Sequence, residues 1–265
     1  MASRTPDSGP PRARWGWAAG GIALGMLLAL VLFAPAHWLT GSLRDATGGR
    51  LVLDDASGTL WNGSAQLLLT GGEGSTAAAA LPTRLEWRLR PRWNGFAAQL
   101  RTACCTSAPI ELRVRPRWGG GHVTVEDSQA QLPAALLAGL GTPWNTLQLD
   151  GNLQLGTQGL SVEWFEGRLS VAGQAELKAQ RLSSRLSTLR PMGSYRITIM
   201  GGDTPTLQLE TLEGSLQLSG SGQWVGSRLR FSGVATATPD REDALSNLLN
   251  IIGRRNGARS IITLG

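Results

Sequence analysis

Through most of the chain apolar and polar residues alternate at every second position, which is the pattern of strands with one buried face. Leu85-Glu86-Trp87-Arg88-Leu89-Arg90, Tyr195-Arg196-Ile197-Thr198-Ile199, Leu216-Gln217-Leu218 and Leu229-Arg230-Phe231 carry it, as do Leu147-Gln148-Leu149 and Leu153-Gln154-Leu155. Glycines recur at short intervals between and within these runs, among them Gly151, Gly156, Gly159, Gly167, Gly173, Gly214, Gly220, Gly226 and Gly233. Such spacing predicts hairpin after hairpin. The expected fold class is mainly β: an elongated, curved antiparallel sheet with one or two short helices.

One stretch breaks the alternation. From Trp15 to Leu39 the only titratable side chain is His37, and Ile22 to Phe33 is almost wholly aliphatic. About 20 apolar residues cross a bilayer core, so residues 15–39 are expected to form one transmembrane helix. Trp15 and Trp17 at one end and Trp38 at the other fall where indoles favour the membrane boundary, and Arg12 and Arg14 place residues 1–14 in the cytoplasm. Residues 40–265 then form a single body on the far side. Ala34-Pro35-Ala36 also has the small-x-small form of a leader cleavage site, and with cleavage the body would lie on the same side. Gly16-x-x-x-Gly20 and Gly21-x-x-x-Gly25 could admit a second copy of the helix, giving a homo-oligomer.

Two segments of the body repeat each other: Leu85 to Phe96 (LEWRLRPRWNGF) and Ile110 to Gly121 (IELRVRPRWGGG). Proline cannot donate to a ladder, so Pro91 and Pro116 should mark strand ends, each followed by a glycine-containing turn. Leu132 to Leu140 reads as a short helix. Thr238-Pro239 opens a second, with Leu245, Leu248, Leu249 and Ile252 on one face and Gly253 at its end. Ser260 to Leu264 can return as a last strand.

Composition narrows the function classes. The chain has 265 residues, 42% hydrophobic and 17% charged, with 35 glycines, which suits strands and turns rather than disorder. Its net charge of +6 includes +2 from Arg4, Arg12, Arg14 and Asp7 before the apolar stretch, and the remaining basic residues are interspersed with acids. No pooled basic patch argues for nucleic acid. With His37 at the membrane boundary, His122 is the one imidazole of the body, too few for an imidazole triad or a two-histidine zinc site. No phosphate loop, nucleophile elbow or dinucleotide fingerprint is present. No catalytic residue, cofactor or metal is expected. Asp54-Asp55 and Glu126-Asp127 are sequence neighbours that would point to opposite faces of a strand.

Cys104 and Cys105 are adjacent and are the only cysteines. Outside the cytoplasm they could bridge as a local clamp on the turn between the two repeats, remain free thiols, or form a strained bridge with a redox role. Arg88, Arg90 and Arg92, with Arg113, Arg115 and Arg117, would stand on two neighbouring strands as a row of guanidinium groups. That row suits an acidic partner or lipid headgroups, or simply a solvated face paired with acids.

Gly58-Thr59-Leu60-Trp61-Asn62-Gly63, Leu81-Pro82 with Leu85-x-Trp87-x-Leu89, and Leu248-Leu249-Asn250-Ile251-Ile252-Gly253-Arg254-Arg255 together resemble the protein N component of bacterial type II secretion systems. The resemblance extends over essentially the whole chain. It implies an accessory, single-pass inner-membrane protein with a periplasmic β body, whose partners are other subunits of the machine that exports folded proteins. It brings no catalytic residues. The alternative, from the alternating pattern itself, is an anchored trough that binds or conducts lipid along an uncovered apolar concave face.

Overall fold

The computed structural model describes residues 15–166, 168–226 and 228–265. The basic tail expected over 1–14 lies outside the described residues, as do Gly167 and the side chain of Trp17. Helix α1 (Trp15–Leu32) is followed by α2 (His37–Ala46). Eight strands come next: β1 (Leu51–Gly58), β2 (Asn62–Thr70), β3 (Ala78–Ala80), β4 (Leu85–Arg92), β5 (Gly95–Thr102), β6 (Ile110–Arg117), β7 (Gly120–Val125) and β8 (Ser128–Pro133). A 3-10 helix at Ala134–Leu140 and the single turn α3 (Trp144–Leu147) separate them from the long pair β9 (Leu149–Phe165) and β10 (Arg168–Ser184). Then follow β11 (Gly193–Gly202), β12 (Thr206–Gly214), β13 (Leu216–Val225), β14 (Arg228–Ala237), a 3-10 turn at Pro239–Arg241, α4 (Glu242–Ile252), β15 (Arg254–Asn256) and β16 (Arg259–Leu264).

Among the described residues all sixteen strands belong to one antiparallel sheet in the order β1-β2-β4-β5-β6-β7-β9-β10-β11-β12-β13-β14-β16-β15, with β3 on β2 and β8 on β9. Space therefore follows sequence almost throughout. The expectation of an antiparallel meander holds. The two edges differ: β1 lies beside α2, and β15 is three residues long with Arg254 and Arg255, a charged, brief edge of the kind that discourages further pairing.

One face of the sheet carries the core. Leu245, Leu248 and Leu249 of α4 are fully buried against Leu216, Ala235, Tyr195, Leu182 and Met192. Pro239 and the acidic residues Asp240, Glu242 and Asp243 begin this helical segment, and Gly253 ends it. The 3-10 helix sets Leu136 on Leu81 and Cys105, and α2 covers Leu53, Ala65 and Trp87 through Leu39 and Leu43.

Three expectations need correction. The single helix expected over 15–39 is divided, because Pro35 stops α1 and residues 34–36 pair instead with the β1–β2 turn. Trp38 thus sits in α2, not at the far end of the apolar helix. Among the described residues no helix is long and apolar enough to cross a membrane. Helix α1 has 18 residues. At ~1.5 Å per residue such a helix rises about 27 Å, against ~30 Å of hydrocarbon. Second, Leu147-Gln148-Leu149 is not strand throughout, since Leu147 closes α3 and Gln148 turns at φ +43°. Third, Gly151, Gly156, Gly159 and Gly173 are not turns. They lie inside β9 and β10, as Gly220 and Gly233 lie paired inside β13 and β14; in β9 and β10 pairing shifts register between Gln158–Gln174 and Ser161–Ala172, a bulge. The shift needs glycine: Gly173 has φ +81°, and a Cβ there would stand 2.2 Å from the carbonyl oxygen of Gly159.

Candidate functional site

Strand alternation in β4 to β7 sorts two chemistries onto two faces. On the inner face Pro91, Phe96, Val114, Val123 and Val162 stand in one cross-strand row, and Leu89, Ala98, Leu112 and Val125 in the next. On the outer face Arg90, Ala97, Arg113, Thr124 and Ser161 form a row, and Arg115, His122 and Glu163 another. The two arginine triplets are therefore not on neighbouring strands as expected. Strand β5 lies between them and sets only Gly95, Ala97 and Gln99 opposite the arginines of β4. Two strand spacings of ~4.8 Å hold β4 about 10 Å from β6.

The outer arginines differ in what they meet. Arg113 pairs with Glu126, and Arg117 with Glu163 at 3.3 Å. The Arg117 guanidinium also lies 5.7 Å from the centre of the Phe165 ring, within cation–π range. Among the described residues no carboxylate lies within ion-pair distance of Arg88, Arg90, Arg92 or Arg115. His122 lies in β7 with Thr124 Oγ1 3.4 Å from its Nδ1. Pro91 and Pro116 each stand one residue before the last of β4 and β6, so the repeated Arg-Pro-Arg-Trp is a strand exit, used twice. Each copy ends at a hairpin tip with its indole in the open: Trp93 is 106% exposed and Trp118 98%.

At the other end of β5, Cys104 and Cys105 form a vicinal disulfide in the turn to β6. Cys105 is buried, its N–H donates to the Thr102 carbonyl, and its own carbonyl accepts from Gln131 N–H at 2.7 Å. Thr102 and Thr106 close the same turn through side-chain and main-chain bonds. The turn is thereby tied to β8.

The segment Gly58 to Gly63 does more than turn the chain. Leu60 N–H donates to the Ala34 carbonyl at 2.7 Å, and Ala36 N–H to the Gly58 carbonyl at 3.3 Å. The indole of Trp61 donates to the Val31 carbonyl at 2.7 Å, satisfying one of the groups that a helix C-terminus leaves open. The Trp87 indole donates to the Leu60 carbonyl, and its ring covers Gly63, where an added Cβ would lie 2.5 Å from it. These contacts fasten the end of α1 to the sheet. Sequence reasoning missed this joint: Trp61 stands out as a residue, but its partner is thirty positions away.

Trp15 is 81% exposed, and every other described side chain of α1 is exposed as well. Gly20, Gly21 and Gly25 face open space. Among the described residues no group of three or more His, Cys, Asp or Glu side chains is placed to hold a metal ion. The clefts of the described surface include one of about 570 Å³ beside α3, reaching Arg185 and Arg190, and one of about 710 Å³ over Leu207, Phe231 and Leu264. Neither has a histidine or a cysteine among its lining residues.

Compared with known proteins, residues 49–262 match the family model described as type II secretion system (T2SS), protein N. No curated protein and no solved structure matches the chain.

Proposed function

Because the chain belongs to the type II secretion system protein N family, we propose that it is an accessory subunit of that machine, held in the inner membrane by α1 and acting through protein–protein contact in the periplasm. The family makes it a secretion-system component. The anchor, the side of the membrane and the mode of action are our reading. The observation that carries the reading is the extent of the match, from residue 49 to 262, which takes in the sheet from just before β1 into β16 together with α4.

The anchor draws its support from α1 itself. It contains no charged residue, its described side chains are exposed, and an apolar helix with no core to enter favours lipid. A helix about 3 Å short is accommodated by local thinning of the bilayer at a fraction of a kcal/mol per Å. Arg12 and Arg14 before it in the sequence support a cytoplasmic amino end and a periplasmic sheet. The test is an affinity pull-down of the tagged full-length protein from native membranes in mild detergent, with mass spectrometry of proteins and lipids. Recovery of other secretion subunits is the expected result; stoichiometric lipid without such subunits would sink the assembly reading.

One observation favours a second reading. The inner-face row Phe96, Val114, Val123, Val162 and its neighbour Trp164 is only partly buried, and among the described residues α2 packs on β1 and α4 on β14 to β16, away from that row. A partly open apolar face of this kind is what an acyl chain would occupy. In that case the same pull-down returns lipid bound to the sheet.

A further inference from the structure

We propose that the two hairpin tips carrying Arg-Pro-Arg-Trp, β4–β5 and β6–β7, rest in the headgroup layer of the membrane that α1 enters. This foothold rests on the anchor reading above and adds a second contact with the same membrane.

Register sets the geometry. Leu89 N–H donates to the Trp61 carbonyl, so Trp61, which holds the end of α1, is level with Leu89. From that level β4 continues four residues to Trp93, about 13 Å further at ~3.3 Å per residue. The β6–β7 tip rises at least as far, because Arg92 pairs with Gly95 while β6 and β7 run on to the Arg117–Gly120 pair. The Trp61 ring leans toward the tips, its centre 6.5 Å from that of Phe96, and this same indole holds Val31. Helix α1 thus meets the sheet on the side to which the tips project. There Val31, Leu32 and Phe33 are exposed and wholly apolar, whereas Ala34 and Ala36 are 2% exposed against the sheet. The joint marks the boundary between what needs lipid and what is already covered, and the tips reach across it.

Their chemistry fits that layer. Indoles partition to the membrane boundary, where the ring is in a semi-apolar medium and the N–H finds polar partners. Arginines spread their stems over apolar surface and keep the guanidinium at phosphate depth. Here each indole is fully exposed, adjoins an arginine in sequence, and ends a strand whose arginines Arg90, Arg92 and Arg115 meet no carboxylate among the described residues. The nearest acids in register lie on β9 and its turn: Glu163, which is paired with Arg117, and Glu166, whose N–H donates to the Gly119 carbonyl. Pro91 and Pro116 withhold no needed donor at these strand ends. In water Arg90, Arg92 and Arg115 meet no counter-charge among the described residues, and the chain carries the motif twice. An anionic phosphate layer supplies the missing counter-charge.

Full-length protein labelled with 5-fluorotryptophan and reconstituted in lipid nanodiscs of phosphatidylethanolamine and phosphatidylglycerol gives the test. W93F, W118F and W144F each delete one fluorine resonance and so assign it. Trp144 is the reference, since it precedes β9 at the end opposite Phe165. The length of such a strand, at ~3.3 Å per residue, puts roughly 50 Å between the two ends. A gadolinium chelate on lipid headgroups should abolish the Trp93 and Trp118 signals and spare Trp144; a soluble chelate should do the reverse. Flotation of the same protein with liposomes, resistant to alkaline carbonate, checks the anchor separately. Stable flotation with Trp93 and Trp118 open to the soluble chelate overturns the tip proposal alone. Loss of flotation overturns it together with the anchor. Shielding of the tips only after other envelope proteins are added overturns it in favour of a protein partner.

Discussion

The indole N–H of Trp61 donates to the main-chain carbonyl of Val31, joining the last turn of the apolar helix to the first turn of the sheet. Replacing Trp61 by Phe keeps the apolar contact near Phe96, whose ring centre is 6.5 Å away, but leaves the Val31 carbonyl without its partner. The cost should be about 0.5–1.5 kcal/mol and local. Hydrogen exchange should accelerate at 34–36 and 58–60 while α4 stays protected; a uniform acceleration would mean that the joint is not a separate element.

Tyr195 offers a pH signature. Its ring is buried, its hydroxyl donates to the Leu216 carbonyl at 3.1 Å, and burial pushes the phenol above its usual range. A group raised in the folded state contributes its full stability below the unfolded pKa, near 10 for tyrosine, and loses it as pH climbs toward the folded value. Urea midpoints should therefore be insensitive to Tyr195 below pH 9 and fall above pH 10, with the fall attenuated in Tyr195→Phe. An alkaline slope identical in the variant would refute this assignment.

Gly173 and Gly159 face each other across the register shift yet should respond differently to alanine. At Gly159, φ is +56° and an added Cβ meets nothing within 4 Å. Gly159→Ala therefore bears only the left-handed backbone penalty, about 1–2 kcal/mol. Gly173→Ala adds a direct overlap with the Gly159 carbonyl, and its total should reach about 3 kcal/mol or more. Equal unfolding midpoints for the two variants would show that the bulge relaxes freely.

Helix α4 is pinned by three leucines that are essentially inaccessible. Leu249→Ala should cost about 2–5 kcal/mol in thermal unfolding. Ile251, by contrast, is 39% exposed. Its replacement by alanine should cost under about 1 kcal/mol. A comparable loss at the two sites would point to an unseen contact on the outer side of the helix.

How far the sequence could be read depended on whether a signal was local. Alternation located β4, β11, β13 and β14, because a two-residue period is carried by the strand itself. Thr238-Pro239 announced the helical segment, because its start is written in adjacent residues. Alternation says which face a residue takes but not which strand stands beside it, so the arginine triplets were set side by side when β5 divides them. Glycine is equally ambiguous. In Gly159 and Gly173 it permits a bulge in the middle of a 17-residue strand, where the letters alone suggested a turn. The break in the apolar stretch was written in Pro35, yet what fixes it there, the pairing of 34–36 with 58–60, belongs to distant residues.

The near identity of spatial and chain order has a consequence for how this protein comes into being. A strand entering such a sheet finds its partner already laid down just before it, so loop closure costs little and no later segment must be awaited. The structure can zip from its first hairpin onward as the chain is made, one strand per step. Apart from the short detours of β3 and β8, the exception is the carboxyl end, where α4 lies between β14 and its partner β16 in the chain and acts as the latch on an otherwise sequential assembly. A chain arrested before residue 242 would present the ladder through β14 with Leu216 and Ala235 still open to the next binder.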